Sequence, residues 1–209
     1  MQDRLGRGVL RRPRRVSVTG SDENEQALST LMARYQAGEV EAFEELYRRT
    51  RALVQRYHRA FAADSAQALD LAQETYLQLH RSRRLYDPRL PLRPWLLAIA
   101  RHVRLMAART LRRRLSREVA LGERDVEHTA NLASLLDSAI LTQALERIPE
   151  RYREPVVLHH LFGLSFRDIA GMVGTSEGGA RVRASRGMAA LRQILGRSVK
   201  LPATQKSDD

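Results

Sequence analysis

The side chains of this sequence that are best equipped for chemistry are arginines, and the chemistry they favour is the binding of phosphates and base edges. The chain has 209 residues, with 36 basic residues against 24 acidic ones, a formal net charge of +12 and a pI of about 11.1. All of the basic residues except Lys200 and Lys206 are arginine, whose planar guanidinium group can bind phosphate oxygens through two donors. A polyanion such as nucleic acid is therefore the first partner to consider.

Near the carboxyl end, two caps and a glycine predict a helix-turn-helix. Ser165 and Asp168 have the spacing of a capping box that begins a short helix. Gly174 follows where the chain needs a left-handed turn, and Thr175 or Ser176 can cap the next helix. In this motif the second helix enters the major groove of DNA. The alternative is an αα-hairpin with a solvated basic face.

The second helix of this motif carries donors that can read guanine bases: Arg181, Arg183 and Arg186. Gly178 and Gly179 lie in its first turn, where each costs up to about 1 kcal/mol relative to alanine. We therefore expect a helix that is locally soft until DNA or a partner stabilises it.

A second basic surface is predicted on the helix at 94–114 and on the proline-rich loop before it. The outward positions of this helix carry one histidine and five arginines: Arg101, His102, Arg104, Arg109, Arg112 and Arg113. Tyr86 and Arg89 lie on the loop and Trp95 follows it, so that unstacked bases could be received there. A solvated basic face, and a core position for Trp95, are the alternatives.

The helix predicted at 65–83 has an acidic outward face with a leucine at its centre. A helical wheel assigns Leu69, Ala72, Tyr76 and Leu79 to the core and Asp70, Gln73, Glu74, Leu77 and Arg81 to the opposite side. An apolar side chain surrounded by charges indicates a protein-binding patch, although a single exposed leucine is also ordinary.

The elements predicted to carry these candidate sites are helices, apart from the proline-rich loop. Apolar residues recur at intervals of three and four throughout residues 25–114 and 132–195, and the prolines of 86–94 exclude a helix there. The buried stripe of the helix at 94–114 is predicted to comprise Leu96, Ile99, Val103, Met106 and Thr110. We predict an all-α chain of two small helical domains, 25–115 and 138–197, joined by a flexible linker at 116–137. Residues 1–24 are predicted to be a disordered basic tail, with a DNA-contacting arm as the alternative, and residues 198–209 a second tail.

Several classes of site are excluded by composition. The chain has no cysteine, which rules out disulfides, zinc ribbons and thiol catalysis. The longest apolar run, 95–100, is far shorter than the roughly 18 residues that span a bilayer, so we expect a soluble intracellular protein with no membrane insertion. His159 and His160 are adjacent, which predicts different helix sides and a poor metal pair. The remaining histidines are read as surface or boundary residues: His58, His80, His102 and His128. We predict no catalytic residue, metal or cofactor.

Two groups of motifs resemble the bacterial sigma factors. DLAQETYL at 70–77, YDP at 86–88, PWLLAIAR at 94–101 and LRRR at 111–114 are similar to sigma region 2. IPERYRE at 148–154, GLSFRDIA at 163–170 and GTSEG at 174–178 are similar to region 4. Two such regions with no middle domain resemble the extracytoplasmic-function (ECF) class. The chain departs from the family at Gly179, Ala180 and Ala184, where members usually carry Thr, Val and Leu.

The resemblance implies a role for each surface. The core-polymerase-binding patch would be Asp70, Gln73, Glu74 and Leu77. Contacts to the single-stranded −10 element would come from Tyr86, Arg89, Trp95, Arg101, Arg104, Arg109 and Arg112. Contacts to the −35 duplex would come from Ser176, Glu177, Arg181, Arg183 and Arg186.

The function that follows is an alternative sigma factor, not an enzyme. It would bind core RNA polymerase, direct it to specific promoters in a stress response and promote strand opening, in the cytoplasm and on the nucleoid. An anti-sigma factor is a further expected partner. The competing hypothesis is a stand-alone helix-turn-helix regulator with a helical sensing or dimerisation domain, which would bind duplex DNA tightly without polymerase.

Overall fold

The structure is a computed structural model that describes residues 19–62, 64–118 and 139–198. All regular secondary structure in these ranges is helical. The described residues fall into two compact units, one within Met1–Leu132 and the other within Ala133–Asp209. The predicted fold class, two small helical domains, is confirmed. Most of the predicted linker and tails lie outside the described residues.

The amino-terminal unit is built from four long helices. They are α1 (Thr19–Gln36), α2 (Val40–Arg59), α3 (Ser65–Ser82) and α4 (Leu92–Glu118), with a 3-10 turn, Arg83–Leu85, after α3. Gly38, at φ +105°, separates α1 from α2. Asp64 caps α3 by accepting a hydrogen bond from the backbone N–H of Gln67 at 2.7 Å. α1 begins before the predicted start at residue 25, and α4 continues past the predicted start of the linker at residue 116.

One apolar core holds these four helices together. Its fully buried members include Met32 of α1, Leu46 and Val54 of α2, Leu79 of α3 and Leu96 of α4. Each such side chain stabilises the fold by about 1.5–3 kcal/mol relative to an exposed position. The core therefore joins residues that are far apart in the sequence, and it sets the rotation of every helix about its axis.

Three residues predicted to be buried are exposed. Leu69 is 41% exposed because the buried stripe of α3 is centred on its small neighbours Ala68, Ala72 and Thr75. Met106 and Thr110 of α4 are also exposed. Val103 is a member of the amino-terminal core and Ala107 packs against it, whereas the α4 side chains at 109–113 are all exposed.

The proline-rich segment is partly helical, contrary to the prediction for 86–94. Tyr86 has extended backbone angles, and the chain then turns until α4 begins at Leu92. Pro94 therefore lies in the first turn of α4. The N–H groups of a first turn have no partner within the helix, so a proline costs nothing there.

The carboxyl-terminal unit contains the predicted helix-turn-helix. Its helices are α5 (Ala139–Glu146), α6 (Glu150–Val156), α7 (Phe166–Val173) and α8 (Glu177–Ser198). A π-helical turn, Val157–Leu161, follows α6 directly, so the helical geometry changes after Val156, one residue beyond Pro155. Ser165 Oγ accepts a hydrogen bond from the Asp168 N–H at 3.1 Å, and Gly174 has the left-handed angles φ +69° and ψ +51°. The predicted cap and turn are confirmed.

Two glycines of α8 lie where a side chain would clash. A Cβ at Gly179 would lie 2.5 Å from Thr175 Oγ1, and a Cβ at Gly187 would lie 2.6 Å from Val156 Cγ2 and 2.7 Å from the Tyr152 carbonyl oxygen. Gly187 thus permits α8 to approach α6 closely, and Gly179 permits the tight start of the second helix of the motif. α8 is continuous through both glycines. Its softness before binding stays a prediction.

Candidate functional site

The acidic face of α3 is exposed as predicted. Asp70, Gln73, Glu74 and Leu77 all reach solvent, and Leu77 is 52% exposed. Glu74 accepts a hydrogen bond from Arg81 at 3.3 Å, a pairing that is weak because both side chains are exposed. The carboxylates of Asp70 and Glu74 lie in the middle of α3 and reach solvent, so a partner can contact them.

Leu69 extends this face and was missed by the sequence analysis. It precedes Gln73 by one turn and Leu77 by two, so the three residues lie along one line of α3. Together with the adjacent Asp70 and Glu74 they form a surface that we call the α3 ridge. The ridge therefore presents two exposed leucines beside Asp70 and Glu74 instead of one. Leu69 is exposed because Ala68 is buried in its place, which shifts the core stripe of α3 away from Leu69.

The proline-rich loop is held from behind by α1. Gln36 Nε2 donates to the carbonyl oxygens of Arg83 at 2.7 Å and Tyr86 at 2.9 Å. Ser29 Oγ donates to the Leu90 carbonyl oxygen at 3.1 Å. The solvent side of the loop exposes Arg89, whose guanidinium pairs with the Asp87 carboxylate at 2.9 Å. These α1 contacts join residues 47 to 61 positions apart, and no local signal in the sequence predicts them.

Tyr86 does not face solvent, which corrects the prediction that it contacts DNA. It is 4% exposed, and its hydroxyl donates to Ser29 Oγ at 2.9 Å. Burial raises the pKa of the Tyr86 hydroxyl to about 12, partly offset by the Ser29 hydrogen bond. Its ring centre lies 5.0 Å from that of Trp95, which is itself partly buried against the amino-terminal core. Both aromatic residues therefore support the loop from beneath.

The basic face of α4 is narrower than predicted. Arg109, Arg112 and Arg113 are exposed and Arg101 is partly exposed. Arg104 is only 8% exposed, and its guanidinium carbon lies 4.2 Å from the centre of the Phe61 ring. The prediction that Arg104 contacts DNA is thus wrong for this structure: the residue packs inside the amino-terminal unit.

His58 was predicted to be a surface or boundary residue, and its placement also differs from that prediction. It is completely buried, and its Nε2 lies 2.8 Å from Thr75 Oγ1. Burial, together with the positive charge of Arg104, lowers the pKa of His58 to about 3. His80 is exposed as expected and is hydrogen-bonded to the Tyr35 hydroxyl through Nδ1. His102 is partly exposed, and His128 lies outside the described residues.

The start of α8 presents polar and charged groups. Ser176 Oγ caps the helix by accepting from the Gly179 N–H at 3.0 Å, and Glu177 lies 3.5 Å from the guanidinium of Arg181. Arg181 and Arg186 are exposed and Arg183 is partly exposed. All five residues predicted for duplex contact therefore reach the surface.

Two further features of this surface come only from the structure. Val182 lies among the arginines and is 49% exposed, which provides an apolar group suited to a thymine methyl. The hydroxyl of Tyr152 is hydrogen-bonded by Arg186, and this contact is the main reason that the pKa of Tyr152 is lowered. Arg186 is therefore oriented by α6.

The adjacent histidines of the π-helical turn, which were predicted to lie on different helix sides, are in edge contact. The ring centres of His159 and His160 are 4.8 Å apart, and their planes are inclined at 75°. His159 Nδ1 lies 2.9 Å from the Leu164 carbonyl oxygen, and its ring stacks on Phe166 at 4.1 Å. Among the described residues no group of three or more His, Asp or Glu side chains could hold a metal ion. Nor is any helix in the described ranges long and apolar enough to cross a membrane.

The comparisons with known proteins agree with this arrangement. The family model described as Sigma-70 region 2 matches residues 46–114, and that described as Sigma-70, region 4 matches residues 138–191. The RNA polymerase sigma factor CarQ of Myxococcus xanthus is 36% identical over 170 residues, which cover 79% of this chain and 95% of CarQ. The ECF RNA polymerase sigma factor SigM of Mycobacterium tuberculosis is 32% identical, covering 83% of this chain and 87% of SigM.

Solved structures show the same fold. The sigma factor RpoE of Bartonella quintana, solved with the anti-sigma factor NepR, has a TM-score of 0.64 at 21% identity and covers 78% of this chain and 100% of its own. CnrH, solved with the cytosolic domain of CnrY, has a TM-score of 0.62 at 22% identity and covers 82% of this chain and 98% of its own.

Proposed function

The chain belongs to the sigma-70 family, in its ECF class, and from this premise we propose how its two helical units divide the work of promoter selection. The protein is a promoter-specificity subunit that binds core RNA polymerase, directs it to particular promoters and promotes strand opening. RNA synthesis takes place in the polymerase, so this chain is assigned no catalytic residue. Residues 25–115 serve as region 2 and residues 138–197 as region 4, a division supported by the two matched segments at 46–114 and 138–191.

The α3 ridge is the surface that binds core polymerase. It comprises the predicted Asp70, Gln73, Glu74 and Leu77, together with Leu69. Two exposed leucines supply apolar area, and the adjacent carboxylates supply orientation toward a basic partner. Such an arrangement favours a protein over DNA, because the carboxylates would repel phosphates.

The loop and α4 form the surface that holds the melted −10 strand. Arg89, the partly exposed Arg101 and the exposed Arg109 and Arg112 of α4 meet the phosphates and the unstacked bases. Flipping a base costs a few kcal/mol, and each captured base returns about 1–3 kcal/mol. Strand opening is therefore close to balance, and modest changes in the shape of the loop decide which base is accepted.

The start of α8 reads the −35 duplex. Ser176 and Glu177 lie at the amino-terminal end of the helix, and Arg181, Arg183 and Arg186 follow within reach of phosphates and guanine edges. The exposed Val182 adds a methyl-reading group. Duplex docking of this kind positions the polymerase before the strands are separated.

An anti-sigma factor is a further proposed partner, and residence on the nucleoid follows from promoter binding. The proposal of an anti-sigma partner is supported by the folds of RpoE and CnrH, which were solved with NepR and with the cytosolic domain of CnrY respectively.

The observation that carries this proposal is the exposed apolar and acidic α3 ridge, for which a stand-alone regulator has no use. The test is run-off transcription with purified core polymerase on a promoter library, beside duplex binding by the chain alone. We expect initiation on a subset of promoters and weak binding without core. Tight duplex binding without core, together with no initiation on any template, would establish the stand-alone regulator instead.

A further inference from the structure

The hydrogen bonds within the loop at 83–92 are all local. The Tyr86 N–H donates to the Arg83 carbonyl oxygen at 3.3 Å, the Leu90 N–H to the Asp87 carbonyl oxygen at 2.9 Å, and the Arg89 N–H to the Asp87 carboxylate at 3.1 Å. Pro88 and Pro91 have no N–H to donate. One side of the loop is exposed and the other faces α1. Local bonds shape each turn, so the contacts that place the loop against the rest of the unit must come from outside it.

Three side chains of α1 supply the missing contacts. Gln36 joins the two ends of the turn after α3, because its single amide nitrogen donates to both the Arg83 and the Tyr86 carbonyl oxygens, at 2.7 and 2.9 Å. The Arg83 carbonyl oxygen also accepts from the Tyr86 N–H at 3.3 Å, so Gln36 reinforces a turn that is already closed by one backbone bond. Gln36 is therefore the residue that fixes where the loop leaves α3.

Ser29 fixes the tip of the loop. Its hydroxyl donates to the Leu90 carbonyl oxygen at 3.1 Å and accepts from the Tyr86 hydroxyl at 2.9 Å. Ser29 is 5% exposed, so these hydrogen bonds are formed away from water. The Tyr86 hydroxyl also lies within hydrogen-bond distance of the Leu90 carbonyl oxygen, at 2.5 Å, so Ser29, Tyr86 and Leu90 form one hydrogen-bonded group. Loss of the Ser29 hydroxyl would remove one of the two donors to this carbonyl and one partner of the Tyr86 hydroxyl.

Glu25 fixes the far end, where the loop enters α4. One carboxylate oxygen accepts from the Arg93 backbone N–H at 2.7 Å, and the other lies 3.3 Å from Arg93 Nε. Residues 25, 29 and 36 are spaced by four and seven, so they lie on one face of α1. α1 therefore presents three polar side chains that contact the loop at its beginning, its tip and its end.

We propose that Gln36 and Ser29 are positioning residues that set the shape of the 83–92 loop and thereby determine base preference at the −10 element. Neither residue contacts DNA in this role: each acts through the backbone of the loop. α1 precedes the segment matched by the region 2 model, 46–114, so this determinant lies outside the part of the chain that the family comparison covers. The inference rests on the proposed function of the loop in capturing a −10 base.

The test compares four full-length proteins with core polymerase on a library randomised at both promoter elements: the unmodified chain, Gln36→Met, Ser29→Ala and the control Gln26→Met. Met has the length of Gln without its donor, and Gln26 is an exposed residue of the same helix that makes none of the loop contacts described. Core affinity and the melting temperature are measured for each protein.

We expect Gln36→Met and Ser29→Ala to flatten the preference among −10 bases by roughly five- to tenfold, the scale of one or two lost hydrogen bonds. The −35 preference and core affinity should not change, and Gln26→Met should match the unmodified chain. A variant that melts earlier but keeps the −10 preference would show a merely structural role and overturn the inference. Ser29→Ala removes a single oxygen, so it remains informative if Gln36→Met does not fold.

Failure of the inference can be told apart from failure of the proposed function. If the unmodified chain selects −10 bases and both variants retain that selection, only the positioning role is wrong. If the unmodified chain initiates without any −10 preference, the assignment of the loop itself is wrong, and the inference is overturned with it.

Discussion

The guanidinium of Arg104 lies 4.2 Å from the centre of the Phe61 ring and is almost completely buried. This contact joins the middle of α4 to the turn that follows α2, and it brings a positive charge close enough to lower the pKa of His58. Arg104, which was predicted from the sequence to bind DNA, is thus buried inside the amino-terminal unit.

The burial of His58 predicts that the amino-terminal unit loses stability on mild acidification. The pKa of His58 is about 3 in the folded protein against an ordinary value of 6.5, so between these values the unfolded state binds the extra proton. The stability contributed by neutral His58 is fully present above pH 6.5 and falls by up to about 1.4 kcal/mol per pH unit below it. Urea unfolding of the full chain from pH 7.5 to 4.5 measures this slope.

His58→Gln should be less stable at pH 7 and show a smaller slope in the same range. The direct check is an NMR titration of the His58 ring, which should stay neutral to pH 4.5 in the folded protein. A ring that titrates near pH 6.5 while the fold is intact would contradict this account.

Reversing charge on the α3 ridge should abolish binding to core polymerase. Glu74→Arg places a cation beside Leu77 and should cost about 2 kcal/mol or more, roughly thirtyfold in Kd. The matched control is Glu23→Arg, the same change at an exposed position of α1. Circular dichroism should be unchanged for both variants, and co-purification with core should be lost only for Glu74→Arg. Equal retention of both variants on core would remove the ridge from the interface.

Leu69 should behave as part of the same interface. Leu69→Ser removes apolar area at a position that is already exposed, so the fold should keep its stability while core binding weakens by about 1 kcal/mol. Val40→Ser, at a residue 63% exposed, is the control. Competition binding to core measures both, and an effect on folding without one on core binding would return Leu69 to a structural role.

Arg183→Ala should relax base preference at the −35 element. A guanidinium that reads a guanine edge contributes about 1–3 kcal/mol of selectivity, and its loss should broaden one position of the element while the others stay selective. Arg192→Ala, at an exposed position farther along α8, should weaken binding without altering any preference. Selection from a promoter library distinguishes the two, and an unchanged preference profile for Arg183→Ala would exclude it from base reading.

Two glycines of α8 should respond in opposite directions to the same substitution. Gly187→Ala would force a methyl group against Val156 and Tyr152, which should cost about 1–3 kcal/mol through overpacking. Gly178→Ala meets nothing within 4 Å and should stabilise the helix by up to about 1 kcal/mol. Thermal unfolding measures both. A gain at Gly187 would show that α6 and α8 are not packed as closely as described.

Much of the architecture could be predicted from local signals in the sequence. Ser165 and Gly174 specify the beginning and end of α7 through a cap and a left-handed turn, which depend on neighbouring residues alone. The three-and-four periodicity specified α2 and α3, and the spacing of Asp70, Gln73 and Leu77 specified an exposed face. Such features depend on backbone geometry within a few residues, so the sequence by itself determined them.

Only the tertiary structure decided which side chains leave the surface. Arg104 and Tyr86 carry polar groups that a helical wheel or a loop assigns to solvent, yet Phe61 and Ser29 from distant parts of the chain enclose them. Leu69 was predicted to be buried and is exposed, because its neighbours fill the core instead. Burial depends on the rotation of each helix against three others, and that rotation is set by packing over the whole unit and not by the order of residues within one helix.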